Sequence, residues 1–320
     1  MPVQPLGGVL VIDFTRYLPG AFASRELHRL GARVVRVEPP EGDPMRSTAP
    51  LWHDAVNAGN ESVVCDLKTK AGLALANALC ARADVVLDGF RPGVLERLGV
   101  QVPDTAVLCS VTGFGVGNRH ELRAGHDVNY LGWAGVLADT APSLPPTQVA
   151  DLAAGGLAAA LEVVAALLDR ERTGRGARLT VSMTHGSHRF VAHRLGGPPE
   201  RMLTGGLACY RVYATSDERW LTVGALEPKF WQRLCEVVGL PALAGRQYDD
   251  DQEAVTEELA EAIARRTLAE WLELMDGEDV SAGPVWTVEE AAAEFGLGPA
   301  GPAPALGEHT EAWRAALGRP

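Results

Sequence analysis

Short apolar runs alternate with segments of helical spacing over roughly the first ninety residues of the chain. The runs 9–13, 34–37 and 85–87 have the length of strands, and the segments 21–30 and 68–82 repeat their apolar residues at the spacing of helices. Strand–helix–strand units of this length predict a parallel sheet with right-handed crossovers. We therefore expect an α/β fold with a Rossmann-like parallel sheet in the large domain.

The pattern changes at about residue 205 and keeps its new character to about residue 277. Segments 210–215 and 220–224 have the character of two strands, and the polar segment 216–219 between them predicts a hairpin turn. Three helical stretches follow. We predict a large domain over residues 1–200, a smaller α+β domain over 201–280 and a C-terminal segment, 281–320, that returns to the large domain.

Composition and charge restrict the class of protein. The chain has 320 residues, of which 47% are hydrophobic and 22% charged, as is usual for globular enzymes. Its net charge of −12 argues against nucleic acid as a partner, because phosphate backbones attract clustered Lys and Arg. The apolar stretch 152–168 contains Glu162 and is interpreted as a buried helix, so no membrane span is expected.

The cysteines and the N-terminus indicate a compartment. The five Cys form no CxxC pair and no spacing typical of a metal site, and an odd count without a targeting segment indicates reduced thiols. The N-terminus lacks a basic region followed by an apolar core, which argues against a secretory signal. We expect a cytoplasmic protein without a bound metal.

Three side chains form the most informative candidate site. His126 lies in the run Gly-His-Asp-Val-Asn-Tyr, Asp151 precedes a run of small apolar residues, and Glu227 lies in Gly-Ala-Leu-Glu-Pro. A base that removes a proton from carbon works best with a pKa near the operating pH, which His has and which burial can give to a carboxyl group. Taken alone, these residues are more typical of a structural His and a helix N-cap Asp than of catalytic groups.

The sequence around these positions resembles the family III CoA-transferase (CaiB/BaiF) superfamily and, within it, the α-methylacyl-CoA racemases. The resemblance covers nearly the whole chain, and the run Phe90-Arg91-Pro92-Gly93 is its most specific part. The other segments that carry it are 7–16, 30–43, 66–68, 83–99, 173–176 and 304–310.

The resemblance implies an isomerase that interconverts (2R)- and (2S)-2-methylacyl-CoA thioesters through an enolate. It assigns His126 and Asp151 as bases on opposite faces of the reacting carbon and Glu227 as the group that orients His126. Enolate charge requires aimed donors, for which the backbone N–H of Asp127 at a predicted helix start is the candidate, and a plain N-cap role for Asp127 is the alternative. The transferases of the superfamily form an acyl anhydride on the Asp at position 151. They typically lack the motifs around His126 and Glu227. A CoA-transferase is therefore the alternative, and a non-catalytic acyl-CoA binder is a second one.

The ligand contacts are expected at the carboxyl ends of the strands, where loops and helix N-termini present N–H groups to anions. Arg91, Arg36 and Arg46 are predicted to bind CoA phosphates, and Tyr130 and Gly115 to line the acyl pocket. The first strand is not followed by GxGxxG, so a nicotinamide or flavin is not expected. CoA enters as part of the substrate, and no further cofactor is predicted.

The chain departs from the family in the segment 57–62. The family commonly has Asn-x-Gly-Lys-Arg-Ser, whereas this chain has Asn60 and Glu61 in place of the two basic residues. We expect this change to alter the affinity for CoA, and an acyl group on a carrier protein stays open as an alternative substrate. The resemblance also implies an interlocked homodimer. His185, His188 and His193 have no obvious carboxylate partner and are predicted to lie on a helix surface.

Overall fold

The computed structural model describes residues 3–197, 200–298 and 301–318, which form two compact units. The first unit runs to His193 and resumes after Gly298, and the second is Arg194–Gly298. The predicted small domain, 201–280, therefore ends too early. The segment after residue 280 contains a strand that completes the sheet of the second unit, so it does not yet return to the first.

The first unit is built on a six-stranded sheet in which every neighbouring pair is parallel. The strand order is β3-β2-β1-β4-β5-β6, the order of a doubly wound dinucleotide-binding sheet. The predicted Rossmann-like α/β fold is confirmed. The strands are β1 (Leu10–Asp13), β2 (Arg33–Glu38), β3 (Glu61–Val64), β4 (Val85–Asp88), β5 (Val107–Thr112) and β6 (Arg178–Ser182).

Both faces of this sheet are covered, because successive strand residues point to opposite sides. Val11 and Val85 belong to one buried cluster, while their neighbours Ile12 and Val86 belong to another. The helices of this unit are α1 (Tyr17–Arg29), α2 (Met45–Thr48), α3 (Pro50–Asn57), α4 (Lys70–Cys80), α5 (Val94–Arg97), α6 (Asp127–Ala134), α7 (Ala158–Thr173), α8 (Met183–Arg189) and, near the C-terminus, α13 (Thr310–Ala316).

Helix α7 continues a π-helical segment, Ala150–Leu157, so that the two form one long helix. Ala150–Thr173 is, within the described residues, the one helix that is long and apolar enough to cross a membrane. Ala159 and Val163 are fully buried in the core of the first unit, next to strand residues such as Val107. A core helix meets the same criteria of length and composition, and these contacts agree with the predicted buried helix.

The second unit contains the predicted hairpin. β7 (Tyr210–Ala214) and β8 (Trp220–Gly224) are antiparallel, and β9 (Ala282–Pro284) pairs with the other edge of β8. Helices pack on this sheet around the fully buried Trp231 and the buried Trp271. They are α9 (Pro228–Val237), α10 (Gln252–Ile263) and α11 (Leu268–Met275), and the unit also contains α12 (Val288–Glu294).

The segment 301–318 packs against β3 of the first unit. The backbone N–H of His309 donates to the carbonyl of Ser62 at 2.9 Å, and the N–H of Val64 donates to the hydroxyl of Thr310 at 3.0 Å. Trp313 is buried in the cluster on that face of the sheet. These contacts anchor the end of the chain on the first unit.

Candidate active site

A cavity of about 510 Å³ lies at the carboxyl ends of the parallel strands of the first unit. Sheets of this type bind ligands where the strand order reverses, and here the reversal lies between β1 and β4. The loops after these two strands contribute Thr15, Arg16 and Tyr17, and Gly89, Phe90, Arg91 and Pro92. Further lining comes from Gly113 after β5, Met183 after β6, and His126, Asn129, Tyr130 and Asp151.

His126 lies at the N-cap position of α6, where its side chain is exposed and lines the cavity. Its backbone N–H donates to Asn129 Oδ1 at 3.0 Å, and its carbonyl accepts the N–H of Asn129 at 2.8 Å. The Asn in the His-Asp-Val-Asn run therefore fixes the backbone that carries the imidazole. Asp127 follows as the first residue of the helix.

Tyr130 fixes the turn before His126 from the other side. Its hydroxyl donates to the carbonyl of Gly125 at 2.5 Å, and its ring meets Phe114 edge-on with centroids 5.4 Å apart. Gly113 has to be glycine, because a Cβ there would lie 2.5 Å from the ring of Tyr130. Burial, reinforced by the charges of Asp151 and Asp127, raises the pKa of Tyr130 to about 12. The phenol is therefore neutral and acts as a hydrogen-bond donor.

Asp151 lies in the π-helical segment and its half-buried side chain lines the same cavity as His126. Its backbone N–H donates to Asp127 Oδ1 at 2.9 Å. Burial raises the pKa of Asp151 to about 7, and the neighbouring negative charge of Asp127 adds to this shift. A carboxyl group with this pKa both accepts and releases protons near neutral pH.

The structure brings His126, Asp151, Tyr130 and Arg91 to one cavity, and Asp127 directly follows His126 in the chain. Their roles in catalysis and binding stay predictions. Gly115 does not line this cavity and lies instead beside Ser182 and the ring of His185, which corrects its assignment to a pocket next to the reacting carbon. The reason is its left-handed φ of 79°, with which the chain turns away from the cavity after β5.

Glu227 belongs to the second unit. It is exposed and lies at the N-cap of α9, directly before Pro228. Proline at the first helical position is typical, because its missing N–H would have no partner there. The orientation of His126 by Glu227 stays a prediction.

The structure corrects the assignment of Arg36 to a CoA phosphate. The side chain is 1% exposed, and its guanidinium donates to Asp13 Oδ2 at 3.2 Å, to Asp43 Oδ2 at 3.0 Å and to the carbonyl of Thr15 at 3.1 Å. Asp13 and Asp43 are themselves buried. A charge so placed requires its partners, and it is not available to a ligand.

Arg46 is corrected for a similar reason. It forms a two-point ion pair with Glu38, at 2.7 and 2.8 Å, and donates to the carbonyl of Pro304 at 3.0 Å. Burial alone would raise the pKa of Glu38, but hydrogen bonds from Arg46 and Ser62 outweigh it and lower this pKa to about 2. Arg46 holds the loop after β2 against the C-terminal segment and does not line the cavity.

Two arginines that the sequence analysis missed line the cavity beside Arg91. Arg16 directly follows the loop after β1, and Arg123 lies three residues before His126. Neither makes an ion pair with an acidic side chain in the described ranges of the chain. Their position next to the Asp-Phe-Thr and Gly-His-Asp runs was the available signal. These cations supply a local positive charge that the net charge of the chain conceals.

The basic residues missing from positions 60 and 61 do not concern this cavity. Glu61 begins β3, and the cavity lies at the opposite, carboxyl ends of the parallel strands. Its carboxylate accepts hydrogen bonds from Arg33 at 2.5 Å and from the indole N–H of Trp313 at 2.6 Å. Glu61 therefore takes part in the docking of α13, and its position argues against the expected effect on CoA affinity.

Comparisons with known proteins agree with the geometry. The profile of CoA-transferase family III matches residues 6–301. The chain is 35% identical to human "Alpha-methylacyl-CoA racemase" over 309 residues, covering 89% of this chain and 78% of that one. It is 32% identical to "Acetyl-CoA:oxalate CoA-transferase" of Acetobacter aceti over 327 residues, covering 91% and 83%.

Solved structures point to the same group of proteins. The crystal structure of a CaiB/BaiF family protein from Brucella suis superposes with a TM-score of 0.84 at 26% identity, covering 98% of this chain and 100% of that one. The relatives include racemases as well as CoA-transferases, and both kinds match nearly the whole chain. The chain therefore belongs to CoA-transferase family III, the CaiB/BaiF superfamily.

Proposed function

We propose that the protein is a 2-methylacyl-CoA racemase or epimerase that works by transferring a proton with two bases. The observation that carries the proposal is that Asp151, with a pKa raised to about 7, shares a cavity with the imidazole of His126. A carboxyl group with this pKa exchanges protons near neutral pH, and the imidazole supplies the second group that removal and return of an α-proton require.

In one direction His126 removes the α-proton of the thioester and the electron pair moves onto the carbonyl oxygen as an enolate. Asp151, in its protonated form, returns a proton to the opposite face of the same carbon, and the C=O bond re-forms. In the other direction Asp151 is the base and His126 the acid. The backbone N–H of Asp127, at the first position of α6, is the proposed donor to the enolate oxygen.

Two sequence motifs and the pKa of Asp151 favour a racemase over a transferase. The chain contains both the Gly-His-Asp-x-Asn-Tyr and the Gly-x-x-Glu-Pro motifs. With a pKa raised to about 7 by burial, Asp151 is partly protonated at neutral pH, as a residue that donates a proton in one direction must be. The same pKa suits a group that alternates between acid and base.

A CoA-transferase is the second candidate, favoured by the similarity to the acetyl-CoA:oxalate enzyme. In that reaction a carboxylate oxygen of Asp151 attacks the thioester carbonyl, the C–S bond breaks and CoA leaves as a thiolate, which gives an acyl anhydride on Asp151. Hydroxylamine or borohydride would trap this anhydride. A non-catalytic binder would give neither trapping nor exchange.

Exchange of the α-hydrogen in D₂O tests the leading proposal. Incubation with enantiomerically pure 2-methylacyl-CoA should give deuterated product of both configurations, detected by NMR and chiral chromatography. Absence of exchange across a panel of acyl groups, together with trapping of an acyl group on Asp151, would replace the racemase by the transferase.

We also propose an interlocked homodimer in the cytoplasm, with CoA as part of the substrate, and Glu227 as the group that orients His126. A carboxylate hydrogen-bonded to an imidazole stabilises its protonated form and fixes its tautomer. Mixing the inactive variants Glu227→Ala and Asp151→Ala, unfolding and refolding them together, tests where Glu227 acts. Recovery of part of the activity would indicate that the residues of one site come from two chains, and no recovery in a mixed dimer that they come from one.

A further inference from the structure

A second cavity of about 490 Å³ lies beyond β5 and β6 in the first unit. Residues that are consecutive in the chain line the two cavities. Gly113 lines the first cavity and Phe114 the second, and Met183 and Thr184 are divided in the same way. Its lining is Phe114, Asn118, His120, Trp133, Ala134, Thr184, His185 and His188.

Trp133 forms an aromatic platform in this cavity. Its ring is half exposed, yet three neighbours hold it. Phe114 meets it edge-on at 5.9 Å, His120 lies 4.4 Å away, and the guanidinium of Arg123 lies 5.1 Å from the ring centre. A large aromatic surface that is exposed but held in place loses little conformational entropy when a ligand packs on it.

The order of the strands relates the position of the second cavity to the expected position of the substrate. Neighbouring strands are about 4.8 Å apart, so β6 lies about 10 Å from β4. The phosphates of CoA belong at the reversal between β1 and β4, beside Arg91. An acyl group that continues from Arg91 past the reacting carbon and away from β1 would extend toward β5 and β6, where the second cavity lies.

We propose that the second cavity binds an aromatic ring at the remote end of the acyl group. The inference rests on the proposed function and specifies its substrate class. Trp133 follows His126 by seven residues of α6, which is about 10 Å along a helix. The ring is therefore separated from the α-carbon by a chain of several bonds, and the substrate is a 2-methylacyl thioester with a terminal aryl group.

An aromatic ring fits this cavity better than an alkyl end because of the lining. Rings pack edge-on or offset against Phe114 and Trp133, and this adds to simple burial of apolar surface. The imidazoles of His185 and His188 and the amide of Asn118 also face the ligand space, and their polar atoms are poor neighbours for a methyl end.

The test compares two thioesters of equal length, a 2-methylacyl-CoA with a terminal phenyl ring and one with an unbranched alkyl end. The kcat/KM for α-hydrogen exchange should be about 3- to 10-fold higher for the phenyl substrate, the range expected of aromatic packing. Trp133→Ala should abolish this preference, and Trp133→Phe should keep most of it.

Trp52→Ala is the matched control, because Trp52 is also 50% exposed and lies outside both cavities. It should keep the ratio of the two substrates. Equal kcat/KM values for the two substrates in the parent enzyme, or a preference that survives Trp133→Ala, would overturn the inference.

Calorimetric binding of the same two thioesters separates this inference from the proposed reaction. The parent protein should bind the phenyl thioester more tightly by a similar factor, and Trp133→Ala should bind both equally. If no thioester exchanges its α-hydrogen, the racemase proposal fails, while the difference in affinity still decides the role of the cavity.

Discussion

The carboxylate of Asp127 caps the helix that carries Asp151. Its Oδ1 accepts the backbone N–H of Asp151 at 2.9 Å across 24 residues of sequence, and the N–H of Ala150 also bonds to this carboxylate. Asp127 itself begins α6, directly after His126. One side chain thus joins the starts of two helices and fixes the spacing of the two proposed bases.

Replacing Asp127 by Asn should move the pH profile of the enzyme to lower pH. The negative charge of Asp127 contributes to the raised pKa of Asp151, so its removal lowers that pKa, although burial keeps part of the shift. The limb of the kcat/KM profile that reports Asp151 should then shift downward, because Asp151 ionises earlier. The measurement is α-hydrogen exchange as a function of pH for each enantiomer.

Comparing Asp127→Ala with Asp127→Asn distinguishes the effect of losing the helix cap from the effect of losing the charge. It removes the acceptor of two N–H groups, which should cost about 0.5–2 kcal/mol of stability, whereas Asn keeps an acceptor oxygen. Asp169→Asn, an exposed carboxylate on the same long helix, is the control and should change neither property. A profile that stays in place in Asp127→Asn would contradict the electrostatic coupling of Asp127 to Asp151.

When one of the two proposed bases is removed, the α-hydrogen should still exchange on one face of the α-carbon. Asp151→Asn should reduce racemisation by about 10²- to 10⁴-fold, the range for loss of a general base, while His126 still exchanges the α-hydrogen of one enantiomer. His126→Gln should show the opposite preference. Exchange of the same enantiomer by both variants would refute the assignment to opposite faces.

Asp151→Asn should also make the protein more stable at alkaline pH. The folded pKa of about 7 lies above the value of about 3.9 for an unfolded chain, so the folded state holds its proton longer and loses stability as pH rises from about 4 to about 7. The loss is at most about 4 kcal/mol for three pKa units, and less for a half-buried group.

Urea unfolding at about pH 5 and about pH 8.5 measures this difference. The Asn variant should gain more stability over the parent at the higher pH than at the lower one, where only part of the loss has developed. An equal change at both values would mean that the carboxylate is not destabilised in the fold.

The fold was accessible from the sequence because its signals are local. Runs such as that in β1 and the helical spacing of α1 reflect packing that each segment repeats along its own length. His126 and Asp151 could be found for the same reason, since each lies in a short motif. The end of the second unit could not, because β9 is only three residues long and is defined by its pairing with β8.

The arginines show which features of the site could not be predicted from the sequence. Arg36 lies between two valines in β2. The sequence of this strand does not indicate that Asp13 and Asp43, from other segments, enclose its side chain. Arg123 gives no signal of its own and reaches the cavity through a loop without regular structure. The fate of a charged side chain depends on partners that are distant along the chain.

Arg36 and Arg91 should therefore respond differently to truncation. Arg36→Ala leaves Asp13 and Asp43 buried without their cation, which should cost about 3–5 kcal/mol of stability. Arg91→Ala, at an exposed position, should leave the melting temperature within a few degrees and weaken CoA binding in a salt-dependent manner. Thermal unfolding and calorimetry with CoA at two salt concentrations measure both effects. Unchanged CoA affinity in Arg91→Ala would remove it from the binding site.

Restoring the family's basic residue at position 61 should not improve CoA binding. Glu61→Arg places a cation at the amino end of β3, far from the carboxyl ends where the cavity lies, and opposite the existing cation of Arg33. It also removes the acceptor of the Trp313 indole N–H, so the docking of α13 should weaken and the melting temperature should fall. Glu61→Gln, which keeps an acceptor, should lose less stability. A rise in CoA affinity in Glu61→Arg would mean that this edge of the sheet contributes to the ligand site after all, and calorimetry with CoA would reveal it directly.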